Sequence, residues 1–243
     1  MISSRIGLLY AYTFYLMGKY DYRVEPYALR NIVARWFFMT SLTGRYSGSY
    51  ESVMEEDLAR VSDAGTAEKF METLDGVVRS TFTDDYWSIT LPSDLTTAAS
   101  RTPGLFAYYA ALSLLDARVL FSNMTVRELF DPAQHAKKAA LERHHLFAKG
   151  HLRKLGIKRR REVNQIANFA LLEWPDNVAI SDESPAEYFP RYMKRFHDED
   201  RAQMVYWHAL PEGWEEMQYD DFLKARRVKI AHVIRDGFAK LGG

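Results

Sequence analysis

Apolar residues in the first half of the chain recur at the three- and four-residue steps of an α-helix. The clearest stretches comprise Ile32, Val33, Trp36 and Phe37, and then Leu105, Tyr108, Tyr109, Leu112 and Leu115. Side chains with this spacing line one face of a helix, and a folded domain buries that face. The pattern predicts a helical domain over residues 1–135 with these stripes in its core.

Residues that start and stop helices add detail. Thr102 before Pro103 predicts an N-cap and a helix start, whereas Gly44–Ser49 and Leu91–Asp94 have the composition of connecting loops. The apolar run Gly7–Met17 is about half as long as the roughly 20 residues that cross a bilayer. This run therefore predicts a buried helix, and we expect no membrane partner.

The pattern changes after about residue 140. Glu142–Ala148 and Ala167–Leu172 have the length of short strands and flank a basic stretch, which predicts a β-hairpin with a long connection. The Ser-Pro-Ala-Glu sequence at 184–187 has the residues of a capping box, so a helix is predicted to begin at Pro185. Met217–Leu241 mixes apolar and basic residues at helical spacing and predicts a closing amphipathic helix.

Composition limits the chemistry. The chain has no cysteine, which excludes thiolate catalysis, disulfides and cysteine-ligated zinc, and is typical of a reducing cytoplasm. A metal ion would have to bind through His, Asp, Glu or Asn. Thirty-two basic and thirty-two acidic side chains cancel, so a nucleic-acid surface must be a local patch.

Such a patch lies between the two predicted strands, where no acidic residue occurs from Lys149 through Arg161. We call this range the basic segment. It predicts contacts to backbone phosphates with little direct recognition of bases. A solvated loop, or a surface for an acidic regulatory domain, would have the same composition. The candidate DNA-binding residues are Lys149, Arg153, Lys154, Lys158, Arg159, Arg160 and Arg161.

Residues that suit metal-dependent chemistry flank the basic segment. His144 and His145 are adjacent in Glu-Arg-His-His-Leu-Phe-Ala-Lys, Asn168 lies in Ile-Ala-Asn-Phe-Ala-Leu-Leu, and Asn177 follows nine residues later. Phosphodiester hydrolysis needs an activated water, a cation on the phosphate oxygens and help for the leaving oxygen. A neutral imidazole can take a proton from water at pH 7. Taken singly, each asparagine is equally well explained as a turn residue.

The combined pattern resembles the HNH, or His-Me finger, nuclease domain at the C-terminus of GmrSD-type restriction proteins. That pattern runs roughly His-His-Ile-Phe-Pro-Lys, then Asn-Leu-Thr-Leu-Leu, then a further Asn and a Ser-Pro-x-Glu-Tyr helix start. The resemblance implies that His145 is the general base and that Asn168 orients its imidazole. It also implies that His144 and Asn177 bind one divalent ion, Mg²⁺, Mn²⁺ or Zn²⁺.

Two positions depart from the family pattern: Ala148 replaces the usual proline, and Glu183 stands where a lysine often occurs. The resemblance extends weakly to Trp36-Phe37, Leu42–Ser49 and Glu55-Glu56-Asp57, which are similar to the helical middle region of the family. The nucleotide-hydrolysing regulatory domain of the family has no counterpart in this sequence. A separate domain or subunit is therefore an expected partner.

The resemblance implies a mainly α fold with a small α+β part: a helical domain over 1–135, then an HNH ββα-metal module with C-terminal helices over 136–243. The implied function is a divalent-metal-dependent DNA endonuclease or nickase in phage defence, gated by DNA modification. The alternative is a catalytically silent DNA-binding or scaffolding module that docks a regulatory partner. A third hypothesis is an inhibitory or assembly role for the helical domain, for example through homodimerisation.

One geometric difficulty concerns the adjacent histidines. Consecutive side chains of a regular strand point to opposite faces, so His144 and His145 are expected to meet one phosphate only at a twisted strand end. The remaining histidines have no comparable context and are predicted to be surface or structural residues. They are His135, His151, His197, His208 and His232.

Overall fold

The first half of the chain is helical, as the apolar spacing predicts. A computed structural model describes residues 5–98, 101–131 and 142–242. Its helices up to residue 131 are α1 (Arg5–Leu16), α2 (Pro26–Thr43), α3 (Tyr50–Ser62), α4 (Ala67–Thr81), α5 (Leu91–Asp94), α6 (Pro103–Leu114) and α7 (Val126–Leu129). Two π-helical turns, Met17–Asp21 and Tyr86–Thr90, follow α1 and precede α5.

Local signals explain where α2 begins and ends. The carboxylate of Glu25 accepts hydrogen bonds from the N–H groups of Tyr27 and Ala28 at 2.9 and 2.8 Å, and proline occupies the first turn. Gly44 ends the helix at φ +64°, a conformation that costs glycine little. The buried face of α2 packs against α1 and α4, and Trp36 lies in this core.

Two of the sequence predictions for this half were wrong. The Gly7–Met17 helix is not buried throughout, since Leu9 and Tyr12 of α1 are exposed while Phe14 is buried. The predicted loop at Leu91–Asp94 is the short helix α5: Leu91 is buried, and a proline in the second position is compatible with a first helical turn. The start of α6 was predicted correctly.

The second half contains a two-stranded sheet among helices. Its elements are β1 (Glu142–His145), α8 (Lys149–Lys154), α9 (Arg160–Val163), β2 (Phe169–Leu172), α10 (Trp174–Ile180), α11 (Pro185–Met193), α12 (Asp198–Trp207) and α13 (Tyr219–Ala239). Short 3₁₀ turns lie at Ile166–Asn168, Trp214–Glu216 and Lys240–Gly242. The fold is therefore mainly helical with a small antiparallel sheet.

The predicted hairpin is confirmed. β1 and β2 are antiparallel, and His144 pairs with Ala170 while His145 pairs with Phe169. Both strands are shorter than predicted because the chain turns into α8 after Ala148, and a 3₁₀ turn leads into β2. All four residues of β2 are buried, which fixes the register by hydrophobic packing.

The capping box is also confirmed. The Glu187 carboxylate accepts hydrogen bonds from the backbone N–H and the hydroxyl of Ser184, at 2.9 and 2.8 Å, and α11 begins at Pro185. The long helix α13 lies within the predicted closing segment, with Phe222, Ile230 and Ile234 among its buried residues and Val228 exposed.

The described residues form two compact units. The first comprises Met1–Thr90, Arg101–Ala107 and Phe238–Gly243, and the second comprises Leu91–Ser100 and Tyr108–Gly237. The domain boundary predicted at residue 135 lies outside the described residues. Across residues 5–98, 101–131 and 142–242, no helix has the length and apolar character needed to cross a lipid bilayer.

Candidate functional site

Strand β1 presents its two histidines to different neighbours. The Nδ1 atom of His144 lies 2.7 Å from Oδ1 of Asn177, and the edge of its ring meets Tyr188 at a centroid distance of 5.8 Å. The Nε2 atom of His145 lies 2.9 Å from Oδ1 of Asn164, and its ring packs edge-on against Phe169. The alternation expected of a strand is therefore retained.

The contact between His144 and Asn177 joins residues 33 positions apart. β2 lies beside β1, the chain then turns directly into α10, and α10 packs back on β1. This ββα arrangement places the amide of Asn177 against a histidine that is only 3% exposed. The two residues that the resemblance assigns to one metal ion thus lie together.

The paired atoms suit neighbouring ligands of a single ion. Two ligands held at about 2.1 Å from an ion and at right angles to each other lie about 3.0 Å apart, close to the observed 2.7 Å. Without an ion, Nδ1–H of His144 donates to the Asn177 oxygen; with an ion between the two atoms the ring would carry its proton on Nε2, which is buried without a hydrogen-bond partner. The residues therefore fit a divalent ion.

The protein would supply only part of the coordination shell. Among the described residues, no three His, Asp or Glu side chains form a group that could hold a metal ion. Asp176, next to Asn177, pairs with Arg195 at 3.4 Å, and burial raises the pKa of its carboxyl. An ion held by His144 and Asn177 alone would have its other coordination positions open to water or phosphate oxygens.

Asn168 has a different contact from the one expected. Its Oδ1 accepts the N–H of Phe147 at 2.8 Å, and its Nδ2 donates to the carbonyls of Phe147 and Val163, each at 3.1 Å. The hydrogen bond to the His145 imidazole, expected from Asn168, is made by Asn164. Asn168 instead ties together Phe147 and Val163, which lie on either side of the basic segment.

Sequence reasoning missed Asn164, which follows directly after α9. Its only signal is that it is an asparagine near the end of the segment between the strands, and asparagines are common in such turns. Two more residues that hold the site were also missed. The Tyr188 hydroxyl donates to the Leu146 carbonyl at 2.8 Å, and the buried Arg226 guanidinium donates to the Ala167 carbonyl at 2.7 Å.

Burial controls the charge of both imidazoles. It lowers the pKa of His145 to about 4, against an opposing effect from the Asn164 hydrogen bond, and nearby Lys149 lowers it further. Burial also lowers the pKa of His144. Both rings are therefore neutral at pH 7, the state in which imidazole can bind a metal ion or accept a proton.

The basic segment is not the irregular loop that the sequence suggested, because α8 and α9 occupy much of it. Its basic side chains are all exposed: Lys149, Arg153, Lys154, Lys158, Arg159, Arg160 and Arg161. Arg159 has a weak ion pair with Glu162 at 3.5 Å. The exposed cations form a local positive surface on a chain with no net charge.

The two departures from the family pattern have simple structural settings. Ala148 precedes α8 at φ −55° and ψ 146°, angles that proline also adopts. Glu183 forms an ion pair with Arg191 at 2.7 Å. The Glu183 carboxylate is therefore paired with a residue of α11, and it offers no positive charge to a phosphate.

The other histidines have ordinary settings where they are described. His208 is buried and its Nε2 bonds the carbonyl of Arg118 at 3.0 Å, a structural role. His197 and His232 are exposed, and His151 is half-buried. His135 lies outside the described residues.

Comparisons of the chain with protein-family models, with curated proteins and with solved structures found no match.

Proposed function

We propose that this protein is a divalent-metal-dependent DNA endonuclease or nickase with an HNH-type site. The observation that carries the proposal is the ββα arrangement in which His144 on β1 contacts Asn177 on α10 at 2.7 Å, with His145 as the next residue of the strand. A histidine nitrogen and an amide oxygen, side by side, are both ligand atoms for a divalent ion.

In this proposal each residue has a defined task. His144 and Asn177 hold a divalent ion, which supplies positive charge to the phosphate oxygens when bound. The His145 imidazole takes the proton of the attacking water, and Asn164 holds the ring through Nε2, which leaves Nδ1 as the accepting nitrogen. Asn168 keeps the chain around Phe147 in place.

The basic segment would hold the DNA backbone. Seven exposed cations can replace counterions along the phosphates, which gives an affinity that falls as salt concentration rises. Replacing Arg159, Arg160 and Arg161 together with alanine should weaken binding and flatten the dependence of affinity on salt. An unchanged salt dependence would remove the segment from the DNA interface.

The biological role rests on the sequence resemblance. It is defence against phage, in which this chain is the effector part of a GmrSD-like restriction system and cuts DNA under control of DNA modification. A nucleotide-hydrolysing regulatory domain would be its partner. A cytoplasmic location follows from the same proposal.

The test is conversion of supercoiled plasmid to open circles in Mg²⁺ or Mn²⁺. His145→Ala should lower the nicking rate by 100-fold or more, the range in which a general base contributes. DNA affinity should stay within about twofold, because no phosphate contact is removed. The exposed His232 provides a matched control, since His232→Ala should keep the full rate.

The rival function is a silent module that binds DNA or docks a partner. It predicts DNA binding without metal-dependent nicking. A nicking rate that His145→Ala does not change would remove the catalytic assignment. A titration with Mn²⁺ provides a readout independent of activity: the wild type and His145→Ala should bind the ion. His144→Ala and Asn177→Ala should bind it at least tenfold more weakly, because each loses a direct ligand.

A further inference from the structure

Leu155 is an exposed leucine in the middle of the basic segment. Its exposed fraction is 57%, and it caps the C-terminal end of α8. A single exposed leucine is ordinary on a protein surface, so exposure by itself indicates nothing. The surroundings of Leu155 are unusual, because every other exposed side chain from Lys149 through Arg161 is a lysine or an arginine.

The turn that carries Leu155 has a defined backbone conformation. The N–H of Ile157 donates to the Leu152 carbonyl at 2.9 Å, and the N–H of Gly156 donates to the Arg153 carbonyl at 3.1 Å. Gly156 has a φ of +85°. These two hydrogen bonds and the left-handed glycine form a Schellman motif, which ends α8. Leu155 is therefore displayed on a hydrogen-bonded turn.

The apolar packing of this turn does not use Leu155. A Schellman motif usually brings together the side chains at the positions that Leu152 and Ile157 occupy here. Leu152 is fully buried and Ile157 is half-buried, whereas Leu155 lies between them in the chain and is exposed. A polar residue at position 155 would keep the same backbone and the same packing, so the leucine side chain is available to a partner.

The cations on both sides of Leu155 indicate the chemistry of that partner. Arg153 and Lys154 come before it, and Lys158 and Arg159 follow soon after; all four are exposed. Such a surface is complementary to a polyanion, and its cations contact backbone phosphates. An apolar side chain among them suits the base pairs, because proteins that bind the minor groove insert residues such as leucine between neighbouring bases and kink the duplex.

We propose that Leu155 is an apolar wedge, which enters the minor groove of duplex DNA held by the basic segment and unstacks one base step. The inference rests on the proposed function for DNA as the partner. It adds the form of the substrate, a duplex that is kinked close to the candidate site. From Lys149 to Leu155 the helix rises about 9 Å, and Lys149 follows His145 by only four residues.

The test measures base stacking, so that it does not depend on cleavage. Short duplexes would each carry one 2-aminopurine, a base whose fluorescence is quenched by stacking, at successive positions. The proteins are His145→Ala and the same chain with Leu155→Ser or Leu155→Met added. A matched control adds Leu9→Ser, which replaces a leucine of similar exposure, 61%, on α1. Circular dichroism would verify that each variant is folded.

The His145→Ala protein should raise the fluorescence about twofold or more at one or more positions, because the wedge unstacks a base step. Leu155→Ser should abolish this rise and weaken duplex binding by about 3- to 10-fold, since a leucine side chain is no longer buried in the groove. The dependence of affinity on salt should stay unchanged because no cation is lost. Leu155→Met should retain most of both effects, and Leu9→Ser should behave as the parent.

Duplex binding without a rise in fluorescence at any position, or a rise that Leu155→Ser retains, would overturn the wedge and leave the basic segment as a phosphate contact alone. This failure is distinct from failure of the proposed function. A wild-type chain that unstacks DNA through Leu155 but nicks no DNA in Mg²⁺ or Mn²⁺ would retain the wedge and lose the nuclease. A chain that binds no duplex would lose both.

Discussion

Replacement of Asn168 by alanine should destabilise the protein strongly even though this residue touches no substrate. The side chain is fully buried and makes three hydrogen bonds, at 2.8, 3.1 and 3.1 Å, to backbone groups of Phe147 and Val163. A buried hydrogen bond contributes about 0.5–1.5 kcal/mol, and a buried backbone group left without a partner costs about 1–3 kcal/mol. We expect Asn168→Ala to lower the free energy of unfolding by about 3 kcal/mol.

Urea denaturation followed by circular dichroism at pH 7 measures this change. Asn164→Ala is the matched control, because Asn164 is half-buried and its one hydrogen bond in this site is to His145. It should cost about 1 kcal/mol or less. A loss below about 1 kcal/mol for Asn168→Ala would refute the view that this amide holds together the residues on either side of the basic segment.

The variant Asn168→Asp separates the hydrogen bonds that the Asn168 amide donates from the one that it accepts. Aspartate can still accept from the Phe147 N–H, but as a carboxylate it cannot donate to the two carbonyls that the amide contacts. The variant should be at least as unstable as Asn168→Ala at pH 7. It should regain stability as the pH falls, because a buried aspartate has a raised pKa and its protonated form can donate one bond.

Three further predictions concern stability. Burial lowers the pKa of His208 to about 3, so the unfolded chain binds a proton first as the pH falls below about 6.5. The free energy of unfolding should therefore fall by about 2 kcal/mol between pH 7 and pH 5, and urea titrations of His208→Gln should lack this contribution. Asp57 is buried and accepts two hydrogen bonds from Arg45, at 2.8 and 2.6 Å, so Asp57→Ala should cost about 3 kcal/mol in the same assay. Ser184→Ala breaks the capping box with Glu187 and should lower the free energy of unfolding by about 1 kcal/mol; no change would mean that the cap is dispensable.

Most features that depend on neighbours within four residues were predicted correctly; the exception is Leu91–Asp94, predicted as a loop, which forms α5. The apolar spacing identified α2 and α6, Thr102 and Pro103 marked the start of α6, and the capping box placed the start of α11 at Pro185. The hairpin followed from two short apolar segments that flank a charged one. These signals lie in the sequence because helix and strand periodicity and capping are short-range interactions.

The predictions that failed involve burial or contact between distant segments. The outer face of α1 contains Leu9 and Tyr12, and hydrophobicity alone predicted that both would be buried. The imidazole of His145 was predicted to contact Asn168, but it contacts Asn164, an asparagine four residues earlier in the chain. Which asparagine reaches the ring depends on where α9 ends and how it packs, and residue type does not encode this.

The sequence by itself determined most of the elements and which chemical groups are available: two adjacent imidazoles, several amides and a basic segment without acidic residues. Only the tertiary structure decided that His144 meets Asn177 across 33 residues and that the two histidines take different partners. The reason is the strand register. A shift of one residue between β1 and β2 exchanges the faces of every side chain, and the packing of buried β2 selects the register that brings α10 onto His144.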